Sequence, residues 1–386
     1  MRKDTRKPET NALVPMDQTG TAIGHLIESA EDYAVNSRSA RTRKEYDRCW
    51  RDFADWCVSK GRPVFPMVPD LSGLDAQGAA TAYRQAQGDM METIVAYVTY
   101  LAKGREGTAK PLAASSIGQA LAAIKLRQRQ AGYGFDDKSP WLKEVMKGIR
   151  REIAQTREIR RVKPLLREHL RTLLDSLDPE VLRDARDAAL IALGWAAALR
   201  RSELVGLDWV KIGEGSDATG YVTADDVSIT VTLLTSKASQ DMAQSVSIPR
   251  LEVPKCCAAI ERWIETGKIP PGTAIFRPIE GAGAGKTVGT GRLSDRHVPR
   301  IMKQRVKALE KFQRGKRKIS KEEAALLVEL ISGHSMRVGH VTDAADRGVP
   351  THQIKQQTRH KTDGMVTLYA RVVDRIKNNS LKGAGL

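Results

Sequence analysis

The chain has 386 residues, 41% of them hydrophobic, and carries 63 Lys and Arg against 46 Asp and Glu, a net charge of +17. That length supports two domains with cores of their own, and the cationic excess favours a polyanionic partner, of which nucleic acid is the commonest. The four cysteines lack the CxxC spacing of zinc sites, no apolar run reaches the roughly 18 residues of a membrane span, and none follows the basic N-terminus as in a signal peptide, so a cytoplasmic protein is expected, nucleoid-associated if bacterial.

Residues 1–20 are polar and aperiodic and predict a disordered arm. A helical region follows, from 21 to 153. Within it Tyr46, Trp50, Phe53 and Cys57 recur at steps of three or four and mark one buried stripe, while Arg41, Arg43, Lys44, Arg48 and Arg51 give the same helix a basic face. The Pro-, Gly- and Ala-rich stretch from 60 to 90 reads as a loop with a short helix. Ile94, Val98 and Leu101 mark a second helix; Ile117, Leu121 and Ile124 mark a third, with Ser115 or Ser116 as its N-cap and Gly132 as its stop. Residues 141–163 hold eight basic residues against three glutamates and end at Pro164, a helix passing into an extended basic linker over 154–164.

A second domain is expected over 165–386. Residues 184–206 read as one strongly apolar helix. Val227 to Leu233 alternates apolar and polar residues, a turn follows at 237–241, and Val246 and Ile248 resume the pattern, which is a β-hairpin signature. Helical patterns dominate from about 254 onward. The fold class is therefore mainly α, a helix-rich α+β chain with a small antiparallel sheet. Gly281 to Thr287 resembles a phosphate-binding loop, but Glu280 stands where that pattern needs glycine and no buried strand leads into it, so a flexible surface loop is expected.

The chemistry concentrates near the C-terminus. Gly-His-Ser-Met-Arg-Val-Gly, residues 333–339, puts His334 and Arg337 one helical turn apart, and His360 and Tyr369 follow. Phosphoryl transfer to a phenol needs charge stabilisation on the nonbridging oxygens, an acceptor for the phenolic proton and an acid for the leaving oxygen. Arginine suits the first need because its planar fork holds two phosphate oxygens and stays charged. Arg337 is one candidate; Arg200, in Leu-Arg-Arg-Ser-Glu-Leu, is the other, with Glu203 three residues on and placed to orient it. Lys237, at the hairpin turn, is placed to reach into a groove and present a proton, and Lys255 is a second lysine to consider. His334 and His340, six apart, do not share a helical face and make no metal pair.

Leu-Arg-Arg-Ser-Glu-Leu, a hairpin lysine, Gly-His-Ser-Met-Arg-Val-Gly, then His and Tyr nine apart resemble the tyrosine site-specific recombinases, the phage-integrase family, and within it the Cre-like branch. The resemblance extends to Ser39 through Lys44, Phe53 through Cys57 and Pro111 through Ile124. It implies a helical core-binding domain over 21–153 and a catalytic domain over 165–386, forming a C-shaped DNA clamp. It implies that Arg200 and Arg337 bind phosphate, Tyr369 is the nucleophile and Lys237 the general acid. His334 would assist proton transfer or bind phosphate, and Glu203 would support the site. His360 would occupy a position where the family carries His or, in Cre-like members, Trp. Arg359 departs from the glycine that commonly precedes it.

The same resemblance offers Lys44 and Gln119 as base contacts, Arg296 as a reader of guanine, and Arg41, Arg43, Arg160 and Arg161 as further DNA contacts. It implies strand exchange through a 3′-phosphotyrosine intermediate and a Holliday junction, with no metal and no cofactor. The expected partners are double-stranded DNA with inverted-repeat half-sites and three further protomers in a homotetramer, joined through a C-terminal helix after Tyr369. Type IB topoisomerases and telomere resolvases share the nucleophilic chemistry and are the enzymatic alternative; a non-catalytic DNA-binding descendant is the other.

Overall fold

The structure is a computed structural model that describes residues 26, 29, 30, 33, 37–104, 110–136, 138–156, 162–211, 217–234, 243–281, 285–309, 325, 328–360, 362–364 and 366. The expected arm over 1–20, Arg160, Arg161, Lys237, Tyr369 and the helix expected after it lie outside the described residues. The chain divides into two compact units, Met1–Ile159 and Arg160–Leu386. Among the described residues, no helix is long and apolar enough to cross a membrane.

The first unit is built from α1 (Ala40–Ser59), α2 (Ala76–Lys103), α3 (Ala114–Gln130) and α4 (Pro140–Thr156). Ser39 caps α1, its hydroxyl accepting from the Thr42 amide at 3.2 Å. Cys49, Phe53 and Cys57 face the core, where Phe53 meets Tyr97 of α2 edge-on at 5.0 Å, and Tyr46 and Trp50 lie at its margin. Helix α2 takes up part of the stretch expected as a loop. Its first half is Ala-rich and mostly exposed, with good propensity but no apolar stripe to reveal it, and Asp75 caps it by accepting from the Gly78 amide at 2.7 Å. Ser115 and Ser116 do not cap α3: the helix starts at Ala114, so both sit in its first turn, and Ala113 at the N-cap offers no side-chain bond.

The second unit holds α5 (Arg167–Asp175), α6 (Leu182–Ala196), α7 (Arg201–Val205), β1 (Leu207–Trp209), β2 (Gly220–Ala224), β3 (Ser228–Leu233), β4 (Gln244–Pro249), α8 (Pro254–Thr266), β5 (Thr273–Ala274), β6 (Ile279–Glu280), β7 (Thr287–Val288), α9 (His297–Leu309), α10 (Ser335–Asp346) and α11 (Thr351–Thr358). The five-stranded sheet runs β4-β3-β2-β1-β5. Strands β3 and β4 pair antiparallel, from Ser228 opposite Pro249 to Leu233 opposite Gln244, with Ile229, Val231 and Leu233 turned into the core. One pairing is parallel, β1 on β2, so the sheet is mixed. A three-residue strand is too short to show alternation, which hides it from the sequence. Strands β6 and β7 form a separate antiparallel pair that brackets the glycine-rich stretch, so no helix N-terminus follows it to receive a phosphate.

Helix α6 is buried on every face, packed against α8 and α10. The four cysteines are buried, and burial pushes the thiols of Cys57 and Cys256 up to about 11 and about 12, which leaves them protonated packing residues.

Candidate active site

Residues 184–206, expected as one helix, form two. Helix α6 ends at Ala196, Ala198 takes a left-handed conformation at φ 48°, and Arg200 becomes the N-cap of α7. Such a conformation costs an alanine roughly 1 kcal/mol, and the sequence has no glycine there to announce it. The break is held from elsewhere. The Ala198 carbonyl accepts from Arg337 Nη1 at 2.7 Å and from Arg359 Nη2 at 3.4 Å, and Arg359 Nη2 also reaches the Ala197 carbonyl at 3.3 Å. Guanidinium groups thus take carbonyls that a continuing helix would have paired internally.

The break turns Arg200 outward and Glu203 back toward it. Arg200 is half-buried; its backbone N–H donates to Glu203 Oε2 at 2.9 Å and its Nη1 to Oε1 at 2.5 Å. Glu203 therefore orients Arg200 from the first turn of a new helix, with Arg200 at the cap. Arg359 Nη2 joins the same carboxylate at 3.3 Å. Burial works against ionisation of Glu203, but the charges of Arg359 and Arg200 and the bonds from Arg200 outweigh it and hold the carboxyl below its usual range.

Helix α10 begins at His334, which occupies its N-cap, and carries Arg337 into the interior. Arg337 is 1% exposed, and beyond Ala198 its Nη2 donates to the Thr358 carbonyl. This depth requires a close approach: a Cβ at Gly339 would stand 1.9 Å from the Leu165 carbonyl oxygen, so only glycine lets the chain at Leu165 lie against α10. The Leu165 amide donates to the Ser335 carbonyl at 3.0 Å, and the Leu165 carbonyl accepts from Trp195 Nε1 at 2.9 Å.

The third piece is the end of α11. Arg359, at φ 57° and ψ 40°, terminates the helix in the left-handed region, and His360 follows. The Thr358 hydroxyl donates its one proton to the Ile354 carbonyl at 2.7 Å, so its 2.7 Å contact with His360 must have Nδ1–H as donor. In the neutral ring Nε2 then carries the lone pair. Burial, with the charges of Arg337, Arg200, His334 and Arg359 behind it, pushes His360 down to about 3. Burial and the charges of Arg337 and Arg200 also lower His334. Both imidazoles are neutral near pH 7 and are proton acceptors beside two arginines.

Arg200, Glu203, His334, Arg337 and His360 thus come together, and Arg359 joins them. The sequence marks Arg359 only as an unusual neighbour of His360; nothing in the local pattern says that it is buried. Lys255 is engaged elsewhere, in an ion pair with Asp175. His340 lies edge-on to Trp195 at 5.2 Å. In the first unit Arg41 and Lys44 are exposed on α1, Arg43 is half-buried there, and Gln119 of α3 lines a shallow groove with Glu45 and Arg48. Arg296 is exposed immediately before α9.

Residues 163–375 match the model of the phage integrase family. Over 351 residues the chain is 30% identical to an integrase/recombinase xerD homolog of Selenomonas ruminantium, across 89% of this chain and 85% of that protein. Among solved structures it is similar to the XerH site-specific recombinase bound to palindromic difH substrate, at 12% identity and a TM-score of 0.41, over 73% of this chain and 65% of that one, just under two thirds of its length. It is also similar to the Tn1549 transposon integrase in complex with transposon right end DNA, at 12% identity and a TM-score of 0.44, over 87% of this chain and 99% of that one.

Proposed function

The chain belongs to the phage integrase family and is a tyrosine recombinase, an enzyme of site-specific DNA recombination, and from that premise we propose how its own residues divide the work. Arg200 and Arg337 grip the nonbridging oxygens of the scissile phosphate. The Tyr369 phenol oxygen attacks phosphorus, the bond to the 5′-oxygen breaks, and the strand is held as a 3′-phosphotyrosine ester. The phenolic proton passes to a neutral imidazole, His334 or His360, and Lys237 gives a proton to the departing 5′-oxygen. Rejoining runs the same steps in reverse with the 5′-hydroxyl of a partner strand, so bond energy is conserved and exchange proceeds through a Holliday junction. Glu203 keeps Arg200 aimed.

The observation that carries this reading is the reach of Arg337 across 139 residues of sequence to the Ala198 carbonyl, just ahead of the Arg200–Glu203 pair, beside two imidazoles that burial and these arginines hold neutral. Two phosphate-binding forks and an acceptor for a proton are two of the things that phosphoryl transfer to a phenol requires.

Double-stranded DNA with inverted-repeat half-sites is the proposed substrate, bound by four protomers on two duplexes through exchange of the C-terminal segment after Tyr369. Arg41, Arg43, Lys44 and Gln119 from one unit and Arg296 from the other are the proposed DNA contacts, joined by Arg160 and Arg161. A bidentate arginine on guanine discriminates by about 1 to 3 kcal/mol, and contacts to phosphate give affinity that falls with salt.

A nicked duplex taken from the DNA flanking the gene tests the chemistry, because loss of the short 5′ fragment traps the covalent adduct. Wild-type protein is expected to form a 3′ adduct visible on a denaturing gel, and Tyr369→Phe none. Adduct formation by Tyr369→Phe would overturn the nucleophile assignment. Lys237→Ala should slow cleavage by roughly 10²- to 10⁴-fold with DNA binding nearly unchanged.

A further inference from the structure

Glu203 stands between two guanidinium groups, and the chemistry above uses only one. The Arg359 side chain is 3% exposed, and its Nη2 alone is engaged, at 3.3 to 3.4 Å from Glu203 Oε2 and the carbonyls of Ala197 and Ala198. Its Nε and Nη1 are buried and have no hydrogen-bond partner among the described residues. Contacts of that length lie beyond the usual N–H···O range, so the fork is poorly used as a donor. Its charge is well used, being the largest influence that favours the ionised form of Glu203 against burial. Its backbone also sits at φ 57°, where glycine would be unstrained. A strained, buried and mostly unmatched arginine must supply something glycine cannot.

We propose that Arg359 is a positioning residue for the cleavage step: it offsets the charge of Glu203, so that Glu203 can aim Arg200 without cancelling it. The proposal rests on the reading that Arg200 grips the scissile phosphate. A lone Arg200–Glu203 pair would be neutral and closed. With Arg337 and Arg359 the cluster joined at Glu203 and the Ala198 carbonyl holds three guanidinium groups and one carboxylate, two positive charges in excess. The phosphodiester carries one negative charge, and the five-coordinate phosphorus of the transition state gathers a second on its nonbridging oxygens. The excess therefore favours the transition state over the bound substrate.

Loss of Arg359 should accordingly fall on the rate of cleavage more than on DNA affinity, and neutralising Glu203 in the same molecule should return part of the rate. A purely structural role for Arg359 predicts the reverse, since two buried bonds would then be lost and the defects would add. The experiment is single-turnover adduct formation on the nicked duplex, with Kd measured on the same DNA, for wild type, Arg359→Gly, Arg359→Lys, Glu203→Gln and Arg359→Gly with Glu203→Gln. Glycine suits the backbone at 359; if it nonetheless unfolds the unit, Arg359→Met replaces it in the same comparison.

Arg359→Gly should cleave roughly 10- to 100-fold more slowly, the scale of coupling within one ion-pair network. Its Kd should stay within about threefold of wild type, since the excess charge acts mainly on the transition state. Arg359→Lys should keep most of the rate, and the double variant should be faster than Arg359→Gly. A wild-type rate in Arg359→Gly, or a double variant slower than the single one, overturns the positioning role. An adduct formed by wild type and absent in Tyr369→Phe upholds the underlying reading whatever Arg359 does. No adduct from wild type sinks that reading and the positioning role with it.

Discussion

Helix α6 has a cluster of buried and half-buried arginines at each end, and the two are balanced differently. At its start Arg186 donates to Asp187 Oδ1 through Nε at 2.9 Å and Nη2 at 2.7 Å, while Arg305 reaches Asp187 Oδ2 through Nε at 2.7 Å and Asp184 through Nη2 at 2.7 Å. Two cations meet two carboxylates there. At its end Arg200 and Arg359 share the Glu203 carboxylate, and Arg337 joins Arg359 at the Ala198 carbonyl. The helix dipole suits both arrangements, acids at the N-terminal turn and guanidinium groups on the last carbonyls. The balanced cluster is complete in the protein by itself and serves the fold. The unbalanced one, on the mechanism proposed above, is completed by the scissile phosphate and serves the chemistry.

Breaking the balanced cluster should therefore cost stability and spare activity. Asp187→Ala leaves the buried Arg186 without its carboxylate and Arg305 with Asp184 alone, and should lose about 3 to 5 kcal/mol in denaturant unfolding. Adduct formation per folded molecule should be unchanged. A cleavage defect that persists after correction for the folded fraction would erase the distinction between the two ends.

Acid should act more gently, and at the end of α6 that carries the site. Burial, then the charge of Arg347, pushes His340 down to about 4, and burial pushes His360 at the site down to about 3. For each the unfolded chain binds the proton first, near its ordinary value of about 6.5, so the stability tied to the neutral imidazole is whole above that pH and declines as pH falls toward the folded value. Glu203 adds a later loss: its carboxyl is held below the ordinary value of about 4.3, so its contribution is present above that pH and disappears as pH falls through the folded value. Unfolding temperatures measured from pH 7 to 4 should fall throughout, and His340→Gln should flatten the upper part of the curve. An unchanged slope in His340→Gln would show that other groups set it.

The smallest effect belongs to the surface. Arg127 and Asp47 join α3 to α1 at 2.5 Å, shorter than most contacts in either buried cluster, yet both side chains are largely exposed. Asp47→Ala should cost no more than about 1 kcal/mol in the same unfolding measurement, because water already solvates both charges. A larger cost would mean that distance rather than burial decides what an arginine pair is worth here.

Some of this was legible in the sequence. His334 and Arg337 sit one turn apart, so the motif shows their joint position directly, and strands β3 and β4 advertise themselves by alternation. The break at Ala198 was not legible. An apolar run that is buried all round has no periodicity to interrupt, and the break is held by guanidinium groups far along the chain. The same limit hid the first half of α2, where exposed alanines leave no stripe, and the burial of Arg359, which depends on Glu203 rather than on its neighbours in sequence.

Gly339 has a consequence for how such a site can change over time. On the mechanism proposed above, His334 and Arg337 have chemical substitutes that would weaken the reaction and leave a protein on which later changes could act. Glycine at 339 has none, because any side chain would meet the backbone of Leu165, the stretch that ties Trp195 to Ser335. Within the seven-residue motif, the last position, which contributes no side chain, is the one with the fewest routes away from it.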